Sequence, residues 1–420
     1  MIPSAPRDFL TSLFTEAVRA ADPIKGIRLH LPPRPQGRTV VVGAGKGAAQ
    51  MAAALETIWG GELEGIVVTR YGYGCTTRYI EIIEASHPVP DAAGLEASKK
   101  LLAAVRDLTP DDLVIALICG GGSALLPAPP TGMTLEDEIA VNEALLVSGA
   151  PISAMNVVRK HLSIIKGGRL AASTKAQVVS LIVSDIPGDN PAHVASGPTI
   201  PDGSTRHDAL DIVEQYGLKL PEACIDHLRS PAADAPRPDD IVFVNHHHHI
   251  VASAGKSLEA AAVAAKKEGV DAVVLSDCIE GEARDVALVL AAIAREIAVR
   301  DRPFAKPVVL LSGGETTVTL RGKSGRGGRN GEFALAVALA IDGQQMDVLA
   351  ADTDGIDGSE DNAGAFADGE TVKRLRAAGI DPRRLLDRND SYSGFAAIGD
   401  LFETGPTGTN VNDFRAILVR

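Results

Sequence analysis

The stretch PVVLLSGGETTVTLRGKSGRGGRNGEFALAVALA, residues 307–340, joins two apolar segments through a loop rich in glycine and basic residues. Val308–Leu311 is a short, continuous apolar run, which predicts a strand covered on both faces. Thr316–Leu320 alternates between apolar and polar residues, as a half-buried partner strand does. Gly313 and Gly314 are predicted to let the backbone turn between the two strands. This order is typical of α/β proteins in which a strand leads into a binding loop and then a helix.

The loop that follows, residues 321–329, contains four glycines and four cationic side chains. Asn330 precedes an apolar-periodic helix with Glu332 in its first turn. Backbone N–H groups at a helix start, together with Arg and Lys, attract anions. The stretch therefore predicts an anion-binding site. The alternative is a solvated hairpin tip, which we favour less because such tips rarely lead directly into a helix.

Composition narrows the class of protein. The 420 residues allow two or three domains, and 45% apolar content with 4% aromatic residues and 42 glycines indicates an α/β fold. The net charge of −13 is spread along the chain and argues against a nucleic-acid partner. The four cysteines lack CxxC spacing, which indicates reduced thiols. We expect a cytoplasmic protein without membrane contact, because no signal-peptide pattern and no membrane-length apolar run is visible.

A second anion-binding turn is predicted near the N-terminus. The strand Arg38–Val42 leads into GAGKGA, residues 43–48, and then into the helix Ala49–Trp59. Gly43 and Gly45 permit close approach of a ligand, and the helix start favours negative charge. Lys46 opposes the helix dipole in this turn, which favours direct contact with a phosphate or a carboxylate.

The same turn leaves a dinucleotide site open. Gly43, Gly45 and Ala48 match the G-x-G-x-x-A pattern of dinucleotide-binding proteins. Arg70 stands at the end of the next predicted strand, where a NAD enzyme usually carries an acid, so only NADP would fit.

A third turn follows the apolar strand Asp112–Cys119. Consecutive glycines after a strand make a concave surface of backbone N–H groups, and a nearby hydroxyl adds a donor. A purely structural strand-to-helix turn is the alternative. The residues of this predicted anion cradle are Gly120, Gly121, Gly122 and Ser123.

Acidic residues follow two further strands. The strand Gln177–Val183 ends in SDIPGD, in which Asp185 and Asp189 could hold a hydrated Mg²⁺ or supply a general base. Turn-capping carboxylates are almost equally consistent with that pattern. Asp352 and Asp354 follow another strand, and their spacing does not fit an EF-hand, which favours acids at a strand end in a kinase-like cleft.

The segment SPAADAPRPDD, residues 230–240, is predicted to be a linker between domains 1–236 and 237–420. Ile241–Val244 is predicted to begin a strand, and His246–His249 is interpreted as a surface feature. His87 is interpreted as a loop histidine satisfied by backbone. A basic cluster on the helix 152–165 could equally be structural or functional; it comprises Asn156, Arg159, Lys160 and His161.

Taken together, these loops resemble class II glycerate kinases, the family whose C-terminal part is called MOFRL. The matching motifs span nearly the whole chain in the family's order. One departure is Asn330-Gly331-Glu332, where the family usually reads Asn-Gln-Glu, so any role of that glutamine side chain is in doubt. The motifs are GAGK at Gly43, CGGGSALL at Cys119, SDIPGD at Ser184, SGPT at Ser196, SGGETTVT at Ser312, GRGGRNGE at Gly325, DTDGIDG at Asp352 and TGPTGTNVND at Thr404.

The resemblance implies phosphorylation of D-glycerate to 2-phosphoglycerate with ATP and Mg²⁺, in a cleft between two Rossmann-like, three-layer α/β domains. Lys46 and Arg329 would stabilise charge on the transferred phosphoryl group. Asp189 would orient or deprotonate the substrate hydroxyl, and Asp352 or Asp354 would bind Mg²⁺. The predicted substrate- and nucleotide-binding residues are Gly43, Gly45, Gly120, Gly121, Gly122, Ser123, Ser312, Gly313, Gly314, Glu315 and Asn330.

Two other functions remain open from the sequence. An NAD(P)H-dependent hydroxypyruvate reductase is supported by the G-x-G-x-x-A match and Arg70, but the chain lacks a convincing Arg, His and acid set. A non-enzymatic nucleotide-binding module is the third possibility. We expect only small-molecule partners and a monomer or homodimer.

Overall fold

The computed structural model describes residues 5–320 and 325–420. It divides the chain into two compact units. We call residues 23–251 the inserted unit, and residues 5–22 together with 252–420 the split unit. The division differs from the predicted boundary at residues 236 and 237 because the strand after the linker still belongs to the first sheet. It also assigns the first helix to the unit formed by the second half of the chain.

The helices share the apolar periodicity that the sequence shows. Within the described residues they are α1 Pro6–Ala20, α2 Pro23–Leu29, α3 Ala48–Trp59, α4 Ala92–Arg106, α5 Gly122–Leu125, α6 Leu135–Val147, α7 Ile152–His161, α8 Arg169–Ala172, α9 Arg206–Gln215, α10 Glu222–Arg229, α11 Ala254–Lys267, α12 Ala283–Arg300, α13 Arg329–Ala340, α14 Thr371–Ala377, α15 Pro382–Asp387 and α16 Ser391–Ile398.

The strands form two six-stranded sheets and one short ladder. Within the described residues they are β1 Thr39–Ala44, β2 Glu64–Arg70, β3 Ile80–Ala85, β4 Leu113–Cys119, β5 Gln177–Val183, β6 His247–Ala252, β7 Asp271–Ser276, β8 Gly281–Glu282, β9 Val308–Gly314, β10 Thr316–Thr317, β11 Met346–Asp352, β12 Gly364–Asp368, β13 Leu401–Phe402 and β14 Asp413–Val419.

The sheet of the inserted unit has the strand order β3-β2-β1-β4-β5-β6. Strands β1 to β5 pair in parallel. All residues of β1 and β4 are buried, as expected of central strands covered on both faces. The strand order reverses between β1 and β4, and ligands of doubly wound folds bind outside the carboxyl ends of the strands at such a point.

The sheet of the split unit is mixed, with the order β13-β12-β11-β14-β9-β7. Strand β14 is antiparallel to both β11 and β9, while β7 and β9 are parallel. Helices α12 and α13 pack with Val308 and Leu310 on one face. Helices α1 and α11 pack with Val309 and Leu311 on the other face. The predicted three-layer α/β class is thus confirmed. The antiparallel pairing of β14 with β9 and β11 was not predicted from the sequence.

Three local predictions are wrong. Gly313 and Gly314 are the last residues of β9 and pair with β14, so they do not form a turn between two strands. Thr316–Thr317 forms only a short strand, which pairs with β8 rather than with β9. Ile241–Phe243 is a 3₁₀ helix, and the strand begins later, within the histidine run.

Part of the basic loop, residues 321–324, lies outside the described residues. Within residues 5–320 and 325–420, no helix combines the length and the apolar character needed to cross a membrane.

Candidate functional site

In the inserted unit, two glycine turns leave the sheet side by side. Ala44 pairs with Ile118 at the ends of β1 and β4, so the turns that follow these strands begin at the same edge. The Lys46 backbone N–H donates to the carbonyl oxygen of Gly120 over 2.8 Å and joins the turns directly. The predicted cradle residues of both turns are therefore brought together.

The first turn closes on Cys119, which is fully buried. Gly45 has a φ of 139°, a conformation that side chains rarely adopt. A Cβ atom on Gly45 would lie 2.5 Å from the carbonyl oxygen of Cys119. The Gly47 N–H donates to Cys119 Sγ over 3.2 Å. The glycine is thus required by close backbone approach as well as by its dihedral angle.

The side chains of Lys46 and His87 both lie against the second turn. A Cβ atom on Gly121 would lie 3.0 Å from Lys46 Cγ and 3.0 Å from His87 Nε2. Burial, with the positive charges of Lys46 and Arg70, lowers the pKa of His87 from 6.5 to about 4. The interpretation of His87 as a loop histidine satisfied by backbone did not include this contact with the second turn. Its place just after β3, a strand parallel to β1, was the signal that could have revealed it.

Of the two acids in SDIPGD, Asp185 contacts the glycine turn. A Cβ atom on Gly120 would collide with the Asp185 carboxylate, so that carboxylate packs directly on the Gly120 backbone. Asp189 lies in the 3₁₀ turn Pro187–Asp189, where its backbone N–H donates to Ile186 over 3.3 Å. The predicted role of Asp189 as base stays a prediction.

Ser123 belongs to a hydrogen-bonded chain that sequence reasoning did not assemble. Its Oγ lies 2.8 Å from Ser196 Oγ, and Ser196 Oγ donates to Asn156 Oδ1 over 2.9 Å. Ala195 and Ser196 have φ values of 53° and 59°. Left-handed conformations of non-glycine residues cost about 1 to 3 kcal/mol and cluster at functional sites. The strained SGPT segment thus fixes a hydroxyl beside the glycine turn.

In the split unit, Arg329 is the first residue of α13 and binds three carboxylates. Its Nε donates to Asp413 Oδ1 over 2.6 Å, one terminal nitrogen to Asp352 Oδ2 over 2.6 Å, and the other to Glu315 Oε1 over 3.1 Å. The side chain keeps 24% of its surface exposed. The predicted residues Arg329, Glu315 and Asp352 are therefore brought together.

Asp413 is the centre of this network, and sequence reasoning missed it. It is 2% exposed, and it accepts hydrogen bonds from Arg329, Arg415 and the side chain of Asn330. Burial alone would raise the pKa of Asp413, but Arg415 and Arg329 hold it below its ordinary value. The TGPTGTNVND motif ends on this residue, which was the available signal.

Two further acids complete the charged cluster. Burial raises the pKa of Asp357 to about 6, although the backbone N–H groups of Asn330 and Gly331 donate to it over 2.9 Å and 2.8 Å. Burial also raises the pKa of Asp352, and Arg329 opposes this shift. Carboxylates outnumber guanidinium groups here, so the cluster would accommodate additional positive charge.

The predicted metal ligands Asp352 and Asp354 are already partly engaged. Asp352 binds Arg329 and accepts from the Asp354 backbone N–H over 3.0 Å. Asp354 accepts from the Ile356 backbone N–H over 2.8 Å and from the Asn410 side chain over 3.3 Å. Among the described residues, no group of three or more His, Cys, Asp or Glu side chains could hold a metal ion. The residues present fit a hydrated Mg²⁺ brought by phosphate oxygens, because Mg²⁺ commonly uses only one or two carboxylates.

A cleft of about 680 Å³ opens beside Arg329 in the split unit. Thr316 and Thr317 line it, as do Gly327 and Gly328 from the basic loop. This volume lies within the range of small-molecule sites. Of the predicted binding residues, Glu315 also lines the cleft, whereas Ser312 is buried within β9.

Gly331, the departure from the family pattern, is explained by a neighbouring helix. A Cβ atom on Gly331 would approach Ser391 Oγ to 2.5 Å and Asp357 Oδ2 to 3.3 Å. A glutamine could enter this position only if Ser391 moved. Glu332 beside it is buried and accepts hydrogen bonds from Arg284 and Asn389, which link α13 to α12 and to the segment before α16.

Two family models match the chain. One, described as "Domain of unknown function (DUF4147)", matches residues 9–229, and the other, described as "MOFRL family", matches residues 308–413. A protein of Agrobacterium vitis named "Putative hydroxypyruvate reductase" is 51% identical over 417 residues, which cover 98% of this chain and 94% of that protein.

Kinase relatives also match over the whole length. The glycerate 2-kinase of Pyrococcus horikoshii is 40% identical over 441 residues, which cover 100% of this chain and 98% of that protein. The solved structure of the glycerate kinase from Thermotoga maritima superimposes with a TM-score of 0.90 at 38% identity and covers all of both chains. The chain belongs to the glycerate kinase family and carries that family's MOFRL segment at residues 308–413.

Proposed function

We propose that the protein phosphorylates D-glycerate with ATP and yields 2-phosphoglycerate. The observation that carries this proposal is Lys46, which belongs to the first glycine turn and lies against the second at the strand-order reversal of the inserted unit. Phosphoryl transfer requires positioning and charge neutralisation more than covalent chemistry. A cation between two backbone anion cradles meets that requirement, and the names of the kinase relatives supply the substrate.

Lys46 would neutralise charge on the transferred γ-phosphoryl group. The second turn, Gly120–Gly122, would present backbone N–H groups to the same anion. His87 stays neutral at physiological pH because its pKa is lowered to about 4. It therefore adds a hydrogen-bonding group beside Lys46 without adding a second positive charge.

Within the split unit, the proposal concerns Arg329 and the cleft beside it. Arg329 is held rigid by three carboxylates, and it keeps an exposed portion on the cleft wall. We assign nucleotide phosphates to this wall and Mg²⁺ to Asp354, with Asp352 positioning Arg329. The metal, when bound, would neutralise charge between the phosphates.

The first experiment is a pair of assays on the purified protein. ATP with D-glycerate is expected to give product, and enolase alone is expected to convert that product to phosphoenolpyruvate. If phosphoglycerate mutase were also needed, the product would be 3-phosphoglycerate and the assignment of the hydroxyl would be wrong. Absence of any ATP-dependent product would remove the proposed function.

The reductase remains the second candidate, supported by the name of the Agrobacterium vitis relative and by the Rossmann strand order. Oxidation of NADPH by hydroxypyruvate, without turnover of ATP and D-glycerate, would establish it. Arg70, the residue required for NADP, lies with its guanidinium carbon 4.4 Å from the ring centre of Tyr73. Nucleotide binding without turnover in either assay would instead indicate a binding module.

The general base can be identified by comparing the two acidic residues of the loop that follows β5. We propose Asp189 for the substrate hydroxyl, and Asp185 is its matched competitor because it contacts Gly120. Asp189→Asn should reduce kcat more than Asp185→Asn if Asp189 takes the proton. The reverse order would move this role to Asp185.

A further inference from the structure

The basic cluster at α7 and after it contains several cations whose partners are visible. Lys160 is buried against the carboxylate of Asp202. Lys166 is buried and donates to Glu138 over 2.7 Å. Arg169 donates to three backbone carbonyl oxygens, one of them Lys160 O at 2.8 Å. Each of these three cations is therefore held by contacts within the protein.

Arg159 differs from Lys160 and Lys166 because its hydrogen-bond partners are neutral, and it differs from Arg169 because only two side-chain amide oxygens accept from it. Its Nε donates to Asn142 Oδ1 over 2.9 Å and one terminal nitrogen donates to Asn156 Oδ1 over 3.4 Å. Among residues 5–320 and 325–420, it forms no ion pair with a carboxylate. Burial lowers the pKa of this guanidinium, and the nearby Glu138 carboxylate, which is paired with Lys166, only partly opposes this shift.

A guanidinium that is half-buried without a carboxylate is costly unless an anion arrives. Two of its five N–H groups are used, and the amide oxygens hold the planar group in one orientation. Such an arrangement is preorganised for an incoming anion, because the side chain does not have to be ordered on binding.

Arg159 is connected to the glycine-turn site through hydrogen bonds. Asn156 Oδ1 accepts from both Arg159 and Ser196, over 3.4 Å and 2.9 Å. Ser196 Oγ lies 2.8 Å from Ser123 Oγ, and Ser123 follows directly on Gly120–Gly122. Three short steps therefore lead from Arg159 to the turn that lies against Lys46.

We propose that Arg159 binds the carboxylate of the hydroxyacid substrate, with the hydroxyl groups of Ser123 and Ser196 beside it; this assignment rests on the proposed function. The planar fork of arginine matches a carboxylate in a two-point contact. Lys46 and the glycine turns are then left for the phosphoryl group. Arg159 is in this way the residue that distinguishes a hydroxyacid from a neutral polyol.

The test compares Arg159→Gln with wild-type protein in steady-state kinetics. The KM for D-glycerate should rise by roughly 10- to 100-fold, because a charge-assisted hydrogen bond contributes about 1.5 to 3 kcal/mol. The KM for ATP should stay within about twofold. Glycerol, which lacks the carboxylate, should be used equally poorly by both proteins. Arg106→Gln, at an exposed arginine on α4, is the matched charge control and should behave as wild type.

The outcomes separate the possible roles of Arg159. An unchanged KM for D-glycerate overturns the proposal. A rise only in the KM for ATP also overturns it, because Arg159 would then contact the nucleotide. Guanidinium ion added to Arg159→Ala should restore part of the activity, which a purely structural role would not predict. If Arg159→Gln fails to fold, Arg159→Lys provides the same comparison, with a smaller rise in KM.

Direct binding distinguishes failure of this inference from failure of the proposed function. Titration calorimetry with D-glycerate and with D-lactate needs no turnover, and Arg159→Gln should weaken binding about 10-fold or more. If the wild-type protein binds these hydroxyacids without phosphorylating them, the kinase function fails and the Arg159 assignment stands. Equal affinity of both proteins, or no binding by the wild type, overturns the assignment.

Discussion

Lys46 combines a half-buried side chain with a fixed backbone, since its N–H donates to the carbonyl oxygen of Gly120. We expect Lys46→Ala to reduce kcat for ATP and D-glycerate by roughly 10²- to 10³-fold, because one preorganised electrostatic contact contributes about 3 to 4 kcal/mol. Lys46→Arg should retain part of the rate. Lys99→Ala, on the exposed face of α4, serves as the control in the same ATP-coupled assay. Near-normal turnover of Lys46→Ala would contradict the mechanism at its centre.

The lowered pKa of His87 predicts that the free energy of unfolding depends on pH. Its folded-state pKa of about 4 lies below the unfolded value of 6.5, so the unfolded chain binds the proton more readily between these values. Its contribution is therefore fully present above pH 6.5 and is lost as the pH falls towards 4. We expect wild-type protein to lose about 1 to 3 kcal/mol more than His87→Gln between pH 7 and pH 4.5.

Urea unfolding at the two pH values measures this difference, and NMR of the labelled imidazole measures the midpoint directly. Identical pH dependence in both proteins, or a midpoint near 6.5, would show that His87 is not held neutral beside Lys46.

Single residues also show what a sequence can and cannot reveal. Lys46 was predictable because strand, glycine turn and helix are adjacent in the chain, so local geometry fixes its place. Asp413 was not, because its partner Arg329 lies 84 residues earlier and meets it only when β14 inserts between β9 and β11. Likewise, the neutral surroundings of Arg159 depend on side chains from α6 and α7 together.

At the level of elements, the turn between β1 and α3 provides a matched pair of glycines. Gly45→Ala should lower the free energy of unfolding by at least about 2 kcal/mol, because φ is 139° and the added Cβ would meet the Cys119 backbone. Gly47→Ala is the control, since its Cβ would lie 3.7 Å from Cys119 Sγ, an ordinary contact. Urea unfolding measures both. Equal effects would show that the turn is not closed on Cys119.

Strands with a clear local sequence pattern were located better than their pairing with other strands was predicted. The strand Gln177–Val183 and the strand beginning at Val308 were located correctly from their apolar residues. The pairing of Thr316–Thr317 with β8 was missed, because alternation specifies which face is buried and not which strand lies alongside. Gly313 and Gly314 were predicted to form a turn, although they are the last residues of β9.

At the level of the whole molecule, helix α1 packs against β13 and β14, which are far from it in the sequence. Phe14 lies in edge contact with Phe402 and Phe414, with ring centres 5.0 Å and 5.7 Å apart. Phe14→Ala should destabilise the split unit by about 3 to 5 kcal/mol. Amide hydrogen exchange should become faster in β14 while β1 and β4 of the inserted unit keep their protection.

Thr15→Ala, an exposed change on the same helix, is the control for helix propensity. Faster exchange throughout both units after Phe14→Ala would contradict the assignment of α1 to the split unit alone. The predicted boundary missed this arrangement because it was placed by composition, and composition carries no information on which distant segment a helix covers.

The insertion of residues 23–251 between α1 and the rest of its unit affects the order in which the protein can form during synthesis. Helix α1 is synthesised before the inserted unit, but the aromatic ring that Phe14 contacts on β14 is made about 400 residues later. The inserted unit has its five parallel strands once β5 is made and its sixth strand once β6 is made, so it can fold while the chain is growing. Until α11 and the strands of the split unit are made, the apolar face of α1 lacks the surface that covers it in the native protein. Nascent-chain chaperones that hold short apolar helices would therefore be expected to act on α1.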